Sequence, residues 1–150
     1  MTQEDKDLLF KDLCARLPYK VKVKIYNHWR DEYEYETLTL NDYGEFIDTF
    51  CVEDIKPILF PLSSMTEEQK KEFMEVSNCE MQLSEQYGYD SEGNYIIIIG
   101  EYEYNYDENI TTDYFYPNFE TFDWLNKNHF DYRGLIEKGL AIDATGLNIY

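Results

Sequence analysis

The chain has 150 residues, 31 of them acidic and only 13 Lys or Arg, for a formal net charge of −18. Such a charge excludes a direct binder of nucleic acid or of an anionic membrane, since both would be repelled. Hydrophobic residues at 43% and aromatic residues at 17% argue against disorder, and a chain this long buries a core without disulfides or a structural metal.

Thr2 caps a predicted helix whose first turn holds Glu4 and Asp5, acidic where the helix end is positive. Leu9, Leu13 and Leu17 form its apolar stripe, joined by Phe10 and Cys14, and Pro18 stops it at Leu17. From Lys20 to Trp29 the pattern alternates. Val21, Val23 and Ile25 face one way and Lys20, Lys22 and Lys24 the other, which predicts a half-buried strand with a solvated lysine row and His28 at its end.

No Lys or Arg falls between Asp31 and Asp54. Tyr33–Leu40 reads as a second strand with Leu38 and Leu40 on one face. Phe46–Val52 reads as a third strand, after the turn residues Asn41, Asp42 and Gly44. The expected topology is a meander in which Glu34 and Glu36 pair across to the lysine row. Ile55–Leu62 is apolar but holds Pro57 and Pro61, so it reads as an extended connector lying on the core. Thr66 and Gln69 make a capping box for a helix running to about Val76, with Phe73 and Val76 as its apolar face.

After Lys71 the next positive residue is Lys127. Within that stretch, Met81–Tyr89 and Tyr95–Tyr106 read as strands about an Asp90–Asn94 turn, and Thr111–Tyr116 as a further strand. Phe119, Phe122, Trp124 and Leu125 predict a short helix capped by Asn118 or Thr121 and weakened at Asn126–Asn128. A second short helix is expected from Asp131 as N-cap, with Tyr132, Leu135 and Ile136 on one face and Gly139 after Lys138 as its stop. The pair suggests a helix-turn-helix. However, Lys127, Arg133 and Lys138 are offset by Asp123, Asp131 and Glu137, which favours a core-packing corner over a DNA reader. The fold class expected is α+β. It is one domain over residues 1–150, with a mainly antiparallel sheet of about five or six strands, an N-terminal helix and two or three further helices packed on one face.

Three blocks, KDLCARLPY, IKPILFPLSSMTEEQKKEF and WLNKNHFDYRGLIEKGLA, sit near the start, in the middle and near the end of the chain. In them the sequence resembles a family of short acidic proteins common in gut Bacteroidetes and their phages. The resemblance implies a bacterial or phage cytoplasmic setting and carries over no catalytic residue. The polar start Met1–Asp7, with no signal-peptide pattern, also points to the cytoplasm. So do three separated cysteines, Cys14, Cys51 and Cys79. Cys14, next to the leucine stripe, reads as a small core residue.

Catalytic signals are weak. There is no GxSxG, phosphate loop or dinucleotide fingerprint, and a Cys51 or Cys79 dyad with His129 has no local signature. Asp90, Glu92 and Asn94 alternate as in a calcium loop, but the loop lacks the bidentate glutamate at its twelfth position, so they read as a turn. Two histidines and three scattered cysteines show no zinc spacing. No catalytic residue, metal ligand or cofactor is assigned.

The functional expectation is a non-enzymatic interaction protein of a bacterial mobile element or phage. It would hold a basic protein surface through Glu101, Glu103, Tyr104, Asp107, Glu108 and Asp113. Tyrosine offers contact area at low entropy cost. Carboxylates on one strand face recur about every 6.6–6.8 Å, close to the roughly 7 Å step between phosphates of one strand. A nucleic-acid mimic that blocks a nucleic-acid-binding protein, as an anti-defence inhibitor would, is the sharper form of this expectation. The bland form has Tyr102, Tyr104 and Tyr106 in the core and the glutamates in water. The alternatives are a small-molecule or metal-binding module and a minor hydrolase.

Overall fold

The computed structural model describes residues 1–40, 51–77 and 119–150, together with the backbone of two strands, Gln86–Tyr89 and Tyr95–Ile98. Helix α1 (Gln3–Arg16) begins in a capping box in which Thr2 and Asp5 satisfy each other's free N–H groups. Leu9, Leu13 and Leu17 of the expected stripe are buried, whereas Phe10 is exposed. The positions that complete the stripe are charged: Asp12 and Arg16 are both 0% exposed.

Strands β1 (Val21–Asn27) and β2 (Glu32–Leu38) form an antiparallel hairpin, and the other neighbour of β1 is β3 (Ile55–Pro61). The short strands β6 (Phe130–Asp131) and β7 (Ile142–Asp143) each run parallel to β3 and complete a five-stranded sheet. Between β3 and β6 come helix α2 (Glu67–Ser77), the antiparallel pair β4 (Gln86–Tyr89) and β5 (Tyr95–Ile98), and helix α3 (Phe119–Lys127). The class is α+β, with the antiparallel ladders the longer ones.

The segment expected to be a connector is thus, among the described residues, the strand with the most partners. Its prolines are tolerated for a geometric reason. Lys22 N–H donates to Tyr150 Oη, which donates in turn to the Ile58 carbonyl. The even-numbered residues of β1 therefore turn their peptide groups towards β3, and Lys24–Lys56 is the bonded pair. The missing N–H of Pro57 falls on the far edge, so no bond to β1 is lost. Further along, Phe60 N–H donates to the His129 carbonyl while the Leu59 carbonyl accepts from Ala144 N–H. Those two groups of one peptide unit point opposite ways, so β6 and β7 lie along opposite edges of β3.

The inner face of this sheet carries the first core. Val21, Val23, Ile25, Ile55 and Leu59 pack against Leu9, Leu13 and Leu17 of the first helical segment and against Leu135 and Leu140 of the C-terminal turns. A second cluster joins α2 to α3, where Phe73 meets Trp124 edge-on with ring centroids 5.4 Å apart, and Trp124 stacks on Phe130 at 5.6 Å. The α2 capping box forms as expected: Gln69 N–H donates to Thr66 Oγ1, and Thr66 N–H to Gln69 Oε1.

The second C-terminal helix does not form. Asp131 does receive backbone N–H groups, from Arg133, Leu135 and Ile136, as an N-cap would. Gly134, however, takes φ +70°, and the chain continues in turns. The stop signal survives in miniature. Gly139 has φ +69°, and Leu140 N–H reaches back to the Leu135 carbonyl. Without a recognition helix, the helix-turn-helix reading falls. Thr121 is buried within α3 and is not its cap. The expected third strand at Phe46–Val52 lies outside the described residues up to Phe50, and Val52 opens a short 3-10 turn.

Candidate functional site

The outer face of the sheet differs from the inner one because β-strand side chains alternate. The register sets Lys22 opposite Thr37, Lys24 opposite Tyr35, Tyr26 opposite Tyr33, and Lys56 beside Lys24. Glu34 and Glu36 stand opposite Ile25 and Val23, so the expected pairing of glutamates with the lysine row is replaced by lysine against tyrosine. Lys24 Nζ lies 4.3 Å from the centroid of the Tyr33 ring and 5.9 Å from that of Tyr35. A cation over an aromatic face is attracted by the ring quadrupole. Tyr33 and Tyr35 remain more than 60% exposed, and Trp29 at the hairpin tip is 97% exposed.

Ile58 shares this face yet is completely buried. The last residues of the chain cover it. Tyr150 bridges β1 and β3 through the two hydrogen bonds above, packs on Phe60 at 5.6 Å and stacks on His129 at 4.4 Å. Burial pushes its hydroxyl up to a pKa of about 12. Beside this cover opens a cavity of about 240 Å³, walled by the side chains of Lys22, Tyr35, Thr37, Ile58 and Ile149. Val23 and Glu36 also border it; their side chains alternate to the other face, so they offer main chain.

A charged cluster lies at the edge of the inner core. Arg16 donates to both carboxylate oxygens of Asp12, at 2.7 and 3.1 Å, and to the Phe130 carbonyl at 2.8 Å. Arg133 Nε sits 3.2 Å from Asp12, and its Nη2 donates to Tyr132 Oη, which donates to Asn126. Burial opposes the charge on Arg16, but Asp12 outweighs it and holds the guanidinium pKa above its usual value. Burial raises the pKa of Asp131 despite its three N–H partners. With Asp12 and Arg16 fully buried, the cluster clasps α1 to β6. The sequence did carry its signal: Asp12 and Arg16 are four residues apart on the leucine stripe of α1.

His129 is buried behind the cluster with φ +58°, and its Nδ1 has no hydrogen-bond partner among the described residues. Burial, helped by the charge of Arg16, lowers its pKa to about 4. Cys51 is exposed before β3, and no hydrogen bond joins it to His129, so the dyad is not assembled. Cys14 is half-buried and burial raises its thiol pKa, the reverse of nucleophile activation. Among the described residues no cluster of three or more His, Cys, Asp or Glu is placed to hold a metal ion, and no helix is long and apolar enough to cross a membrane. The expected partner-binding residues Glu101, Glu103, Tyr104, Asp107, Glu108 and Asp113 lie outside the described residues, as do Cys79 and the Asp90–Asn94 turn. No family model, curated protein or solved structure matches the chain.

Proposed function

We propose that this is a non-enzymatic interaction protein that grips a basic protein surface through its acidic, tyrosine-rich stretch between Lys71 and Lys127. The observation that supports it is how charge divides along the chain. Between Lys71 and Lys127 the chain carries 13 of its 31 acidic residues and no Lys or Arg. The other 18 acidic residues share the rest of the chain with all 13 Lys and Arg. Five of the cations are already committed in ion pairs: Arg16 and Arg133 to Asp12, Lys6 to Glu53, Arg30 to Glu34 and Lys70 to Glu67. The remainder are too few to neutralise the carboxylates, so the excess is left for counterions or a partner. Displacing counterions with a basic surface gives fast, salt-sensitive association. A nucleic-acid-binding protein, whose groove is built for repeated negative charge, fits this chemistry, and a phage or mobile-element origin gives such blockade a use.

The test is affinity capture from bacterial host lysate at low and high salt, with the Glu101→Lys/Glu103→Lys double variant as control. The proposal expects basic proteins to be retained at low salt, released at high salt, and lost with the double variant. Retention indifferent to both salt and charge reversal would remove it.

A further inference from the structure

We propose that the cavity on the outer sheet face binds a small aromatic carboxylate, independently of the acidic stretch. Four observations point to this ligand class. The first is size. Pockets for drug-sized ligands run roughly 300–1,000 Å³, so a cavity of about 240 Å³ suits one or two fused rings with a short acidic arm.

The second is the lining. Ile149 forms an apolar wall in front of the buried Ile58, and Tyr35 a ring wall still 62% exposed and open to stacking. An aliphatic body would pack on Ile149, but only a flat ring uses the Tyr35 face as well.

The third is the placement of donors. Lys22 and Thr37 are directly opposed across the β1–β2 ladder. Lys22 turns its N–H away from β2 to Tyr150, which makes Lys22–Thr37 a non-hydrogen-bonded pair, the kind whose side chains approach most closely. The two side chains therefore leave the ladder side by side at the cavity wall, so that an ammonium and a hydroxyl are on hand for the two oxygens of a single carboxylate. Lys22 has no acidic partner among the described residues, although the protein carries 31 acidic residues.

The fourth is local charge. Lys22 and Lys24 share this face, and the Glu36 bordering the cavity directs its carboxylate to the other side. Lys56 beside Lys24 donates to the Gly139 carbonyl, and the carboxylates of Asp31 and Asp54 meet Tyr26 and His28 at the opposite end of the hairpin. The cavity end of the face, at Lys22, is thus locally cationic on a strongly acidic protein. At physiological salt, charges more than about 8 Å away are largely screened, so the nearby lysines decide which ligand sign is accepted. Tyr150, anchored between β1 and β3, fixes the tail that supplies the Ile149 wall and is a positioning residue.

The probe is indole-3-acetate, titrated into the full chain and followed by amide chemical shifts. Its neutral amide and plain acetate serve as controls. Saturable shifts are expected at Lys22, Thr37, Ile58 and Ile149. Binding should weaken about tenfold for the neutral amide and for Lys22→Met, the scale of one lost charge-assisted hydrogen bond. Tyr35→Ala should also weaken it, and acetate alone should not saturate. Unchanged melting temperatures for Lys22→Met and Tyr35→Ala would show that the losses are not unfolding. The proposal is overturned if indole-3-acetate gives no saturable shift, if shifts cluster elsewhere, or if the amide or Lys22→Met binds as well as the acid does to the parent protein.

Discussion

The two faces of the β1–β3 sheet are built from the same few residues and do opposite things. The inner face turns Val21, Val23, Ile25, Ile55 and Leu59 onto α1, and that burial holds the fold. The outer face, one residue out of phase, presents half-buried Lys22, Lys24 and Tyr26 and exposed Lys56 against the exposed Tyr33 and Tyr35. The side that does not hold the fold is the side free to bind. A half-buried strand specifies its packed side tightly and leaves the other free to carry chemistry. Here even the polar groups separate accordingly: Asp12 and Arg16 are sealed under α1, while Lys22 and Thr37 border an open cavity.

Breaking the inner side should cost most. Asp12→Ala strands the Arg16 and Arg133 charges in the core and should lower unfolding free energy by about 3–5 kcal/mol, the usual cost of halving a buried ion pair. Urea denaturation measures this, and a loss below 1 kcal/mol would mean the clasp is no stronger than a surface pair.

His129 comes next. Its folded pKa of about 4 lies below the ordinary 6.5, so the folded state resists the proton more than the unfolded chain does. Its contribution is intact above about pH 6.5 and drains as the pH falls towards 4, amounting to about 3 kcal/mol. Asp131, with a raised pKa, contributes in the opposite sense as acid is added, so the parent protein must be compared with His129→Asn, a replacement suited to positive φ. That variant should lack this share of the acid-side slope; identical slopes would assign the loss to other groups.

The outer side should give the smallest effects. Lys24→Met or Tyr33→Leu should each cost no more than about 0.5–1 kcal/mol, the range for an exposed cation–π contact. A double-mutant cycle should recover a coupling of that sign, and additive losses would show that the contact is geometric only. A large loss from either single variant would contradict the division of labour between the faces.

Much of the inner side was legible in the sequence. The leucine stripe of α1, the alternation of β1 and the Thr66–Gln69 capping box each need only local spacing, and each is present. What escaped depends on partners. Pro57 and Pro61 masked β3, because whether a proline breaks a ladder turns on which edge its nitrogen faces. Gly134 undid the second C-terminal helix through a backbone conformation that a good N-cap at Asp131 could not override. The lysine–tyrosine face escaped because register decides whether Lys24 meets Glu36 or Tyr35, and one residue of slip exchanges them. Of the cavity, the lysine row was visible, but nothing local announces that Tyr150 anchors the tail there and Ile149 walls it.

Where negative charge gathers can be read directly by relaxation enhancement of backbone amides with a cationic and an anionic nitroxide, which reports the electrostatic potential residue by residue. A strongly negative potential over residues 78–118, set against a much weaker or reversed one at Lys22, Lys24 and Lys56, is the predicted result. A potential uniform across both regions would contradict a protein whose acidic stretch is a grip for a basic partner.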